Sequence, residues 1–263
     1  LAATLGNCGS AYGYCYVAFG ELVAWVIGWI LLLEYGVAVA AVANGWSGYF
    51  CNALAAMGIG LPEALAKSPE AGGIINLPAS AIILVLMGLL IVGVRQSAQF
   101  NTAMVFVKLL TVAVFIAIAA FNVNPDNWQP FMPYGWFNTL PDGTTTGVLA
   151  GASLVFFAYI GFDAVSTAVE EAKNPQRDAP IGIIASLVFC TVVYIVVSGL
   201  LTGVLPYPEL DVSSPVAFAL QRLGLNWASA LVSTGVIAGL TTVMLVLYYG
   251  LTRILFAMSR DGL

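Results

Sequence analysis

Long apolar runs separated by short polar clusters set the pattern of this chain. Six stretches reach the roughly 20 apolar residues that a membrane-crossing helix needs. They run from about Leu22 to Ala43, Ile75 to Val94, Thr102 to Phe121, Thr146 to Val169, Ile181 to Leu205 and Trp227 to Phe256. Residues 1–6 read as the tail of an earlier helix. The pattern predicts an all-α polytopic membrane protein with six transmembrane helices.

Composition agrees with that class. Of the 263 residues, 60% are hydrophobic and 8% are charged, and the mean hydropathy is +0.96. A soluble domain carries about 25% charged residues, so lipid must be the solvent here. No internal repeat, low-complexity segment or soluble domain interrupts the pattern, and residues 1–263 read as one transmembrane domain. The chain opens at Leu1 without a basic leader and stops at Asp261-Gly-Leu263, as if inside a loop. It reads as a piece of a longer protein.

Loop charges orient the spans. Arg95, Lys173, Arg177, Arg253 and Arg260 fall on one side, against Lys67 and Arg222 on the other. The richer side is expected in the cytoplasm. The longest loop, Asn122 to Thr145, then lies outside, and its Trp128, Phe131, Tyr134, Trp136 and Phe137 read as an interfacial belt. Tyr12, Tyr14, Tyr16 and Phe19 read the same way. The sequence has no histidine, which excludes His-based metal sites, triads and proton relays. Cys8, Cys15, Cys51 and Cys190 form neither a C-x-x-C pair nor a disulfide framework and read as small packing residues. No metal, cofactor or nucleic-acid partner is expected; the lipid bilayer is.

Three ionisable residues lie well inside the predicted spans, away from their ends: Glu34, Lys108 and Asp163. A charge near the bilayer centre costs about 3 kcal/mol on the mildest scale. Glu34 fits a wall of a polar cavity or a group that takes and gives a proton, and equally a structural carboxylate bonded to a neighbouring helix. Lys108 fits either a desolvated, proton-exchanging amine or a side chain that snorkels to the headgroups. Asp163 follows Gly161 and precedes a stretch able to start a new helix. There it can cap the second half-helix, leaving the carbonyls of Phe157 to Ile160 free for an ammonium group. A kinked helix with Asp163 bonded sideways is the alternative. Past this helix, Glu170, Glu171, Lys173, Arg177 and Asp178 form a solvated loop or an ion-pair gate.

The run Phe157-Ala-Tyr-Ile-Gly-Phe-Asp-Ala-Val-Ser-Thr-Ala-Val-Glu-Glu-Ala-Lys-Asn-Pro-Gln-Arg177 closely resembles the sixth-helix signature of the amino acid–polyamine–organocation transporters. The match is best to their cationic amino acid transporter branch. Gly9-Ser-Ala-Tyr12 resembles the family's link between helices two and three, and Gly45-Trp-Ser-Gly-Tyr49 its third-helix end. Thr252-Arg-Ile-Leu-Phe-Ala-Met-Ser-Arg-Asp-Gly262 resembles its motif after helix eight. The resemblance implies that the six spans are helices three to eight of a five-plus-five inverted repeat with a discontinuous sixth helix. The first helix and those after the eighth would be missing.

It also implies an amino acid permease of the plasma or bacterial inner membrane that moves L-amino acids by alternating access, with the proton as coupling ion. An exchanger without net coupling and a non-transporting sensor or partner subunit are the alternatives; an enzyme is not expected. Phe157, Ala158, Ile160, Gly161 and Glu34 would bind substrate, Lys108 would couple the proton, and Glu170, Glu171, Lys173 and Arg177 would form a cytoplasmic gate. The chain departs from the family pattern in lacking a proline within Leu5-Gly-Asn-Cys8.

Overall fold

The computed structural model describes residues 11–56, 58–92, 97–141, 143–161, 174–210 and 214–262. Its helices are α1 (Ala11–Phe19), α2 (Glu21–Ala56), the single turn α3 (Glu63–Ala66), α4 (Leu77–Val92) and α5 (Ser97–Ala120). They continue with α6 (Val148–Val155), α7 (Pro175–Val204), α8 (Pro215–Arg222) and α9 (Asn226–Arg260). A minimal antiparallel hairpin, β1 (Asn138–Thr139) with β2 (Thr145–Thr146), sets Asn138 opposite Thr146. Helix is what lipid demands, because it satisfies every backbone group within its own segment. Pro175 and Pro215 sit in the first turns of α7 and α8, where the missing N–H is no loss.

Each of the six predicted spans meets an apolar helix, but their lengths differ from expectation. Among the described residues, four helices are long and apolar enough to cross a membrane: α2, α5, α7 and α9. α4 has 16 residues, and the predicted span from Thr146 leaves the α-helical path at Val155. The first span, by contrast, runs on from Ala43 to Ala56. Its 36 residues make about 54 Å of helix, well beyond a hydrocarbon core of about 30 Å. Gly45-Trp-Ser-Gly-Tyr49, read as a helix end, is therefore interior. Trp46, Ser47 and Tyr49 are buried there; Trp46 Nε1 donates to Thr241 Oγ1 at 3.0 Å and Ser47 Oγ to Asn76 Oδ1 at 2.6 Å.

α2 and α9 form the spine. Near one end Ala24, Leu31 and Tyr35 pack with Ile254, Ala257 and Met258, and further along α2 Ala38, Val39, Ala43 and Trp46 meet Met244, Leu245 and Leu247. The pairing is thus antiparallel. Lipid offers apolar side chains no less than a neighbouring helix does, so close approach through small residues drives such pairs. Gly250 supplies one: a Cβ there would lie 2.7 Å from Cε2 of the Tyr35 ring. A second cluster joins α5, α7, α8 and α9 through Phe115, Ala119, Val204, Leu220 and Val232.

Two aromatic groups do not form the simple belts expected of them. Tyr12 is 1% exposed, packs in the α2–α9 cluster, and donates its hydroxyl to Asp261 Oδ2 at 3.0 Å. The motifs at the two ends of the chain therefore meet. Burial, with the Asp261 carboxylate next, pushes the Tyr12 hydroxyl up to about 12. In the long loop, Trp128 docks instead of facing lipid, donating Nε1 to the Gly199 carbonyl at 3.2 Å and to Thr202 Oγ1 at 3.3 Å. The Asn124 N–H and Asn127 Nδ2 both donate to the Gly203 carbonyl, at 2.9 and 2.8 Å. The loop thereby satisfies the Gly203 carbonyl at the end of α7, one of those that a helix terminus leaves unpaired. Phe131, Trp136 and Phe137 stay exposed. Cys15, Cys51 and Cys190 are free thiols; Cys8 lies outside the described residues.

Tyr12→Phe keeps the ring and removes one hydrogen bond to a carboxylate, a loss of about 2 kcal/mol. Thermal unfolding of the protein in detergent micelles should then shift down by about 4–8 °C. An unchanged midpoint would show that the Tyr12–Asp261 contact adds nothing to stability.

Candidate substrate cavity

The apolar helix that begins at Val148 comes apart where the sequence places a glycine. α6 ends at Val155, the chain tightens into a 3₁₀ turn over Phe156–Tyr159, and Ile160 is extended at φ −61°, ψ 133°. Gly161 then takes φ +100°, which a side-chain-bearing residue rarely adopts. Space is not the constraint, since a Cβ at Gly161 would find only Leu247 Cδ2, at 3.6 Å. Conformation is. Asp163, the expected cap of a second half-helix, lies outside the described residues, as do Glu170, Glu171 and Lys173. Arg177 sits exposed in the first turn of α7.

The broken segment lines a cavity of about 580 Å³, within the 300–1,000 Å³ typical of small-ligand sites. Phe157, Ala158, Ile160 and Gly161 form one wall, and Lys108 of α5 enters it. Ser186, Cys190 and Tyr194 of α7 make a polar stripe. Val42, Val105, Val243, Val246 and Leu247 supply an apolar side. Sequence reasoning thus names five of the lining residues: the four at the break and Lys108. Glu34 is half-buried on α2, one turn before the lining residue Ala38, and is not among the described lining residues.

The freed carbonyls already have partners. The Ile160 N–H donates to the Phe157 carbonyl at 3.3 Å, and Tyr194 Oη donates to the Ala158 carbonyl at 3.1 Å. Tyr159 shares a hydrogen bond with Thr191 Oγ1 at 3.1 Å, and its ring meets that of Tyr194 edge-on, with centroids 5.5 Å apart. Tyr194 and Thr191 carry roles that the sequence reading missed, and Cys190, read there as packing, faces the cavity. The available signal was spacing: Ser186, Cys190 and Tyr194 recur every four residues of an apolar helix, which puts them on one face.

Lys108 is seated by glycine. A Cβ on Gly239 of α9 would touch the Lys108 stem, at 3.5 Å from Cδ and 3.6 Å from Cβ. One turn earlier, a Cβ on Gly235 would collide with Thr111. The pair Gly235-x-x-x-Gly239 therefore receives Thr111 and Lys108 of α5, a close helix contact of the kind membranes favour. Among the described residues, Lys108 makes no salt bridge, and it is the one charged side chain on the described cavity wall.

The sequence profile of the amino acid permease family matches residues 1–263. A branched-chain amino acid permease of Bacillus subtilis is 49% identical over 267 residues, covering 100% of this chain and 56% of the relative. A methylthioribose transporter of the same organism is 49% identical over 257 residues, 97% of this chain and 54% of the relative. A chloroplastic cationic amino acid transporter of Arabidopsis thaliana is 38% identical over 261 residues, 97% of this chain and 44% of the relative. The chain spans about half the length of the curated relatives it matches.

Tyr194→Phe keeps the ring against Tyr159 and removes the donor to Ala158. A hydrogen bond of about 1 kcal/mol should reappear as roughly fivefold faster amide exchange across residues 156–161, read by hydrogen–deuterium exchange mass spectrometry. Unchanged exchange would mean that other contacts hold the broken segment.

Proposed function

Because this chain belongs to the amino acid permease family, we propose that the protein it forms carries L-amino acids across a cell membrane by alternating access, coupled to protons. One observation carries this reading: the helix unwinds at Phe157–Gly161 on the wall of a cavity that Lys108 also enters. Peptide carbonyls freed at membrane depth carry partial negative charge and suit the α-ammonium of an amino acid. A carbonyl oxygen has two lone pairs, so Ala158 can hold Tyr194 and still accept an ammonium. Asp163 would cap the second half-helix, and Lys108 would take and release the coupling proton. Glu170, Glu171, Lys173 and Arg177 would gate the cytoplasmic end. Glu34 would act from outside the described cavity wall, bonded within the bundle.

The substrate we assign is a neutral amino acid with an aliphatic side chain. The described wall offers Val42, Val105, Val243, Val246 and Leu247, and no carboxylate for a basic side chain. Sequence likeness supports the same choice, at 49% to a branched-chain permease against 38% to a cationic amino acid transporter. The resemblance to the cationic branch, taken alone, points the other way on charge. Likeness to a methylthioribose transporter makes that sugar thioether the competitor to test.

Full-length protein in liposomes should take up leucine severalfold faster under an inward proton gradient. Excess valine should compete, and arginine should not. Lys108→Ala should leave uptake indifferent to the gradient while leucine still binds. Strong uptake that ignores the gradient in the wild type but needs preloaded internal amino acid would replace coupling by exchange. Saturable binding without flux would make the protein a sensor.

A further inference from the structure

A second cavity lies away from the one just described, and its chemistry is different. The folded loop after α5 closes over the outer ends of α6 and α7, leaving a space of about 350 Å³. Trp128, Phe131, Tyr134 and Tyr207 line it, with Met132 and Thr202 beside them. The polar ends of these rings are already engaged. Trp128 Nε1 is bonded to Gly199 and Thr202, and the hydroxyls of Tyr134 and Tyr207 lie close enough to raise the Tyr207 pKa.

Among the described residues, the wall carries no cationic donor for an anion. The first N–H groups of α6 would otherwise form an anion site. The loop takes them: the Val148 N–H donates to the Gly135 carbonyl and the Leu149 N–H to the Trp136 carbonyl, both at 3.1 Å. Residues 122–147 contain Asp126 and Asp142 and no lysine or arginine. What remains on offer is aromatic π surface in a negatively charged loop, and that pairing attracts an organic cation.

We propose that this loop cavity is a binding site for alkylammonium groups, held by cation–π contact with Trp128, Phe131, Tyr134 and Tyr207. Its position suggests two sources for such a group. Thr202 stands eight residues beyond Tyr194 on α7, roughly 12 Å along the helix, and Val148 opens the helix that leads to Phe157. The site therefore lies at the outer ends of the two elements that wall the substrate cavity. Its occupant is either the α-ammonium of an amino acid on its way in, which rests on the transport reading above, or an unrelated amine that regulates from outside.

The test is calorimetric titration of the purified full-length protein with choline and with 3,3-dimethylbutan-1-ol, which has choline's shape without its charge. Choline should bind, and the neutral isostere should bind about two- to fivefold more weakly, the scale of an exposed cation–π contact. Tyr207→Leu and Phe131→Ala, both on exposed residues, should each weaken choline by a similar factor, and the thermal midpoint reports that the fold survives. Equal affinity for the two probes, or choline binding untouched by both substitutions, overturns the proposal, as does the absence of saturable binding. Leucine uptake by the same variants separates the sources. A raised KM at constant maximal rate assigns the site to the substrate's ammonium, and unchanged uptake assigns it to another amine. Choline binding requires no transport, so a failed uptake assay would leave this result readable.

Discussion

A peptide carbonyl released from its helix inside a bilayer has no water to turn to, and leaving it bare costs several kcal/mol. The rest of this structure is arranged around that constraint at Phe157–Gly161. Phe157 finds the Ile160 N–H, and Ala158 finds the Tyr194 hydroxyl. The second solution makes α7 part of the break, because Tyr194 must stand within hydrogen-bond reach of α6's end. α7 is in turn held at its outer end by the loop, through Trp128, Asn124 and Asn127. Loop, helix and broken segment form one dependent chain of contacts. Loosening the loop would loosen the cavity wall.

The opposite wall is set by α9, which presents small residues along one stripe to two different neighbours. Gly250 lets the Tyr35 ring of α2 close in, and Gly235 and Gly239 admit Thr111 and Lys108 of α5. Placing a lysine by the absence of a side chain opposite it differs from placing it by an ion pair. An ion pair would fix the ammonium and its charge together. A glycine seat fixes the stem and leaves the amine to the cavity.

Much of this was legible in the residues, and the gaps have physical causes. The helices follow from apolar run length because lipid permits little else. The break follows from Gly161 because a positive φ in a span has few other uses. The length of α2 was not legible: Trp46, Ser47 and Tyr49 look like an interfacial ending until Thr241 of α9 is seen bonding Trp46, and Asn76, just before α4, bonding Ser47. Tyr12 escaped for the same reason, since its partner Asp261 lies 249 residues away. Tyr194 was passed over because the four-residue spacing of Ser186, Cys190 and Tyr194 marks one face of α7 without saying what that face meets.

The two sides of the cavity explain how such a site could discriminate. One side presents carbonyls, hydroxyls and a thiol from the break and α7, and the other presents valine and leucine side chains from α2, α5 and α9, with Thr242 and the Lys108 amine among them. An amino acid is itself two-ended, so its backbone and side chain would sort onto these walls. Among aliphatic side chains the apolar wall can separate substrates only weakly, since one methylene is worth about 1–3 kcal/mol. Against a basic side chain the same wall is far stricter, because a desolvated charge without a partner costs much more than a missing methylene. Such a cavity would therefore be broad within one class of amino acid and closed to the other.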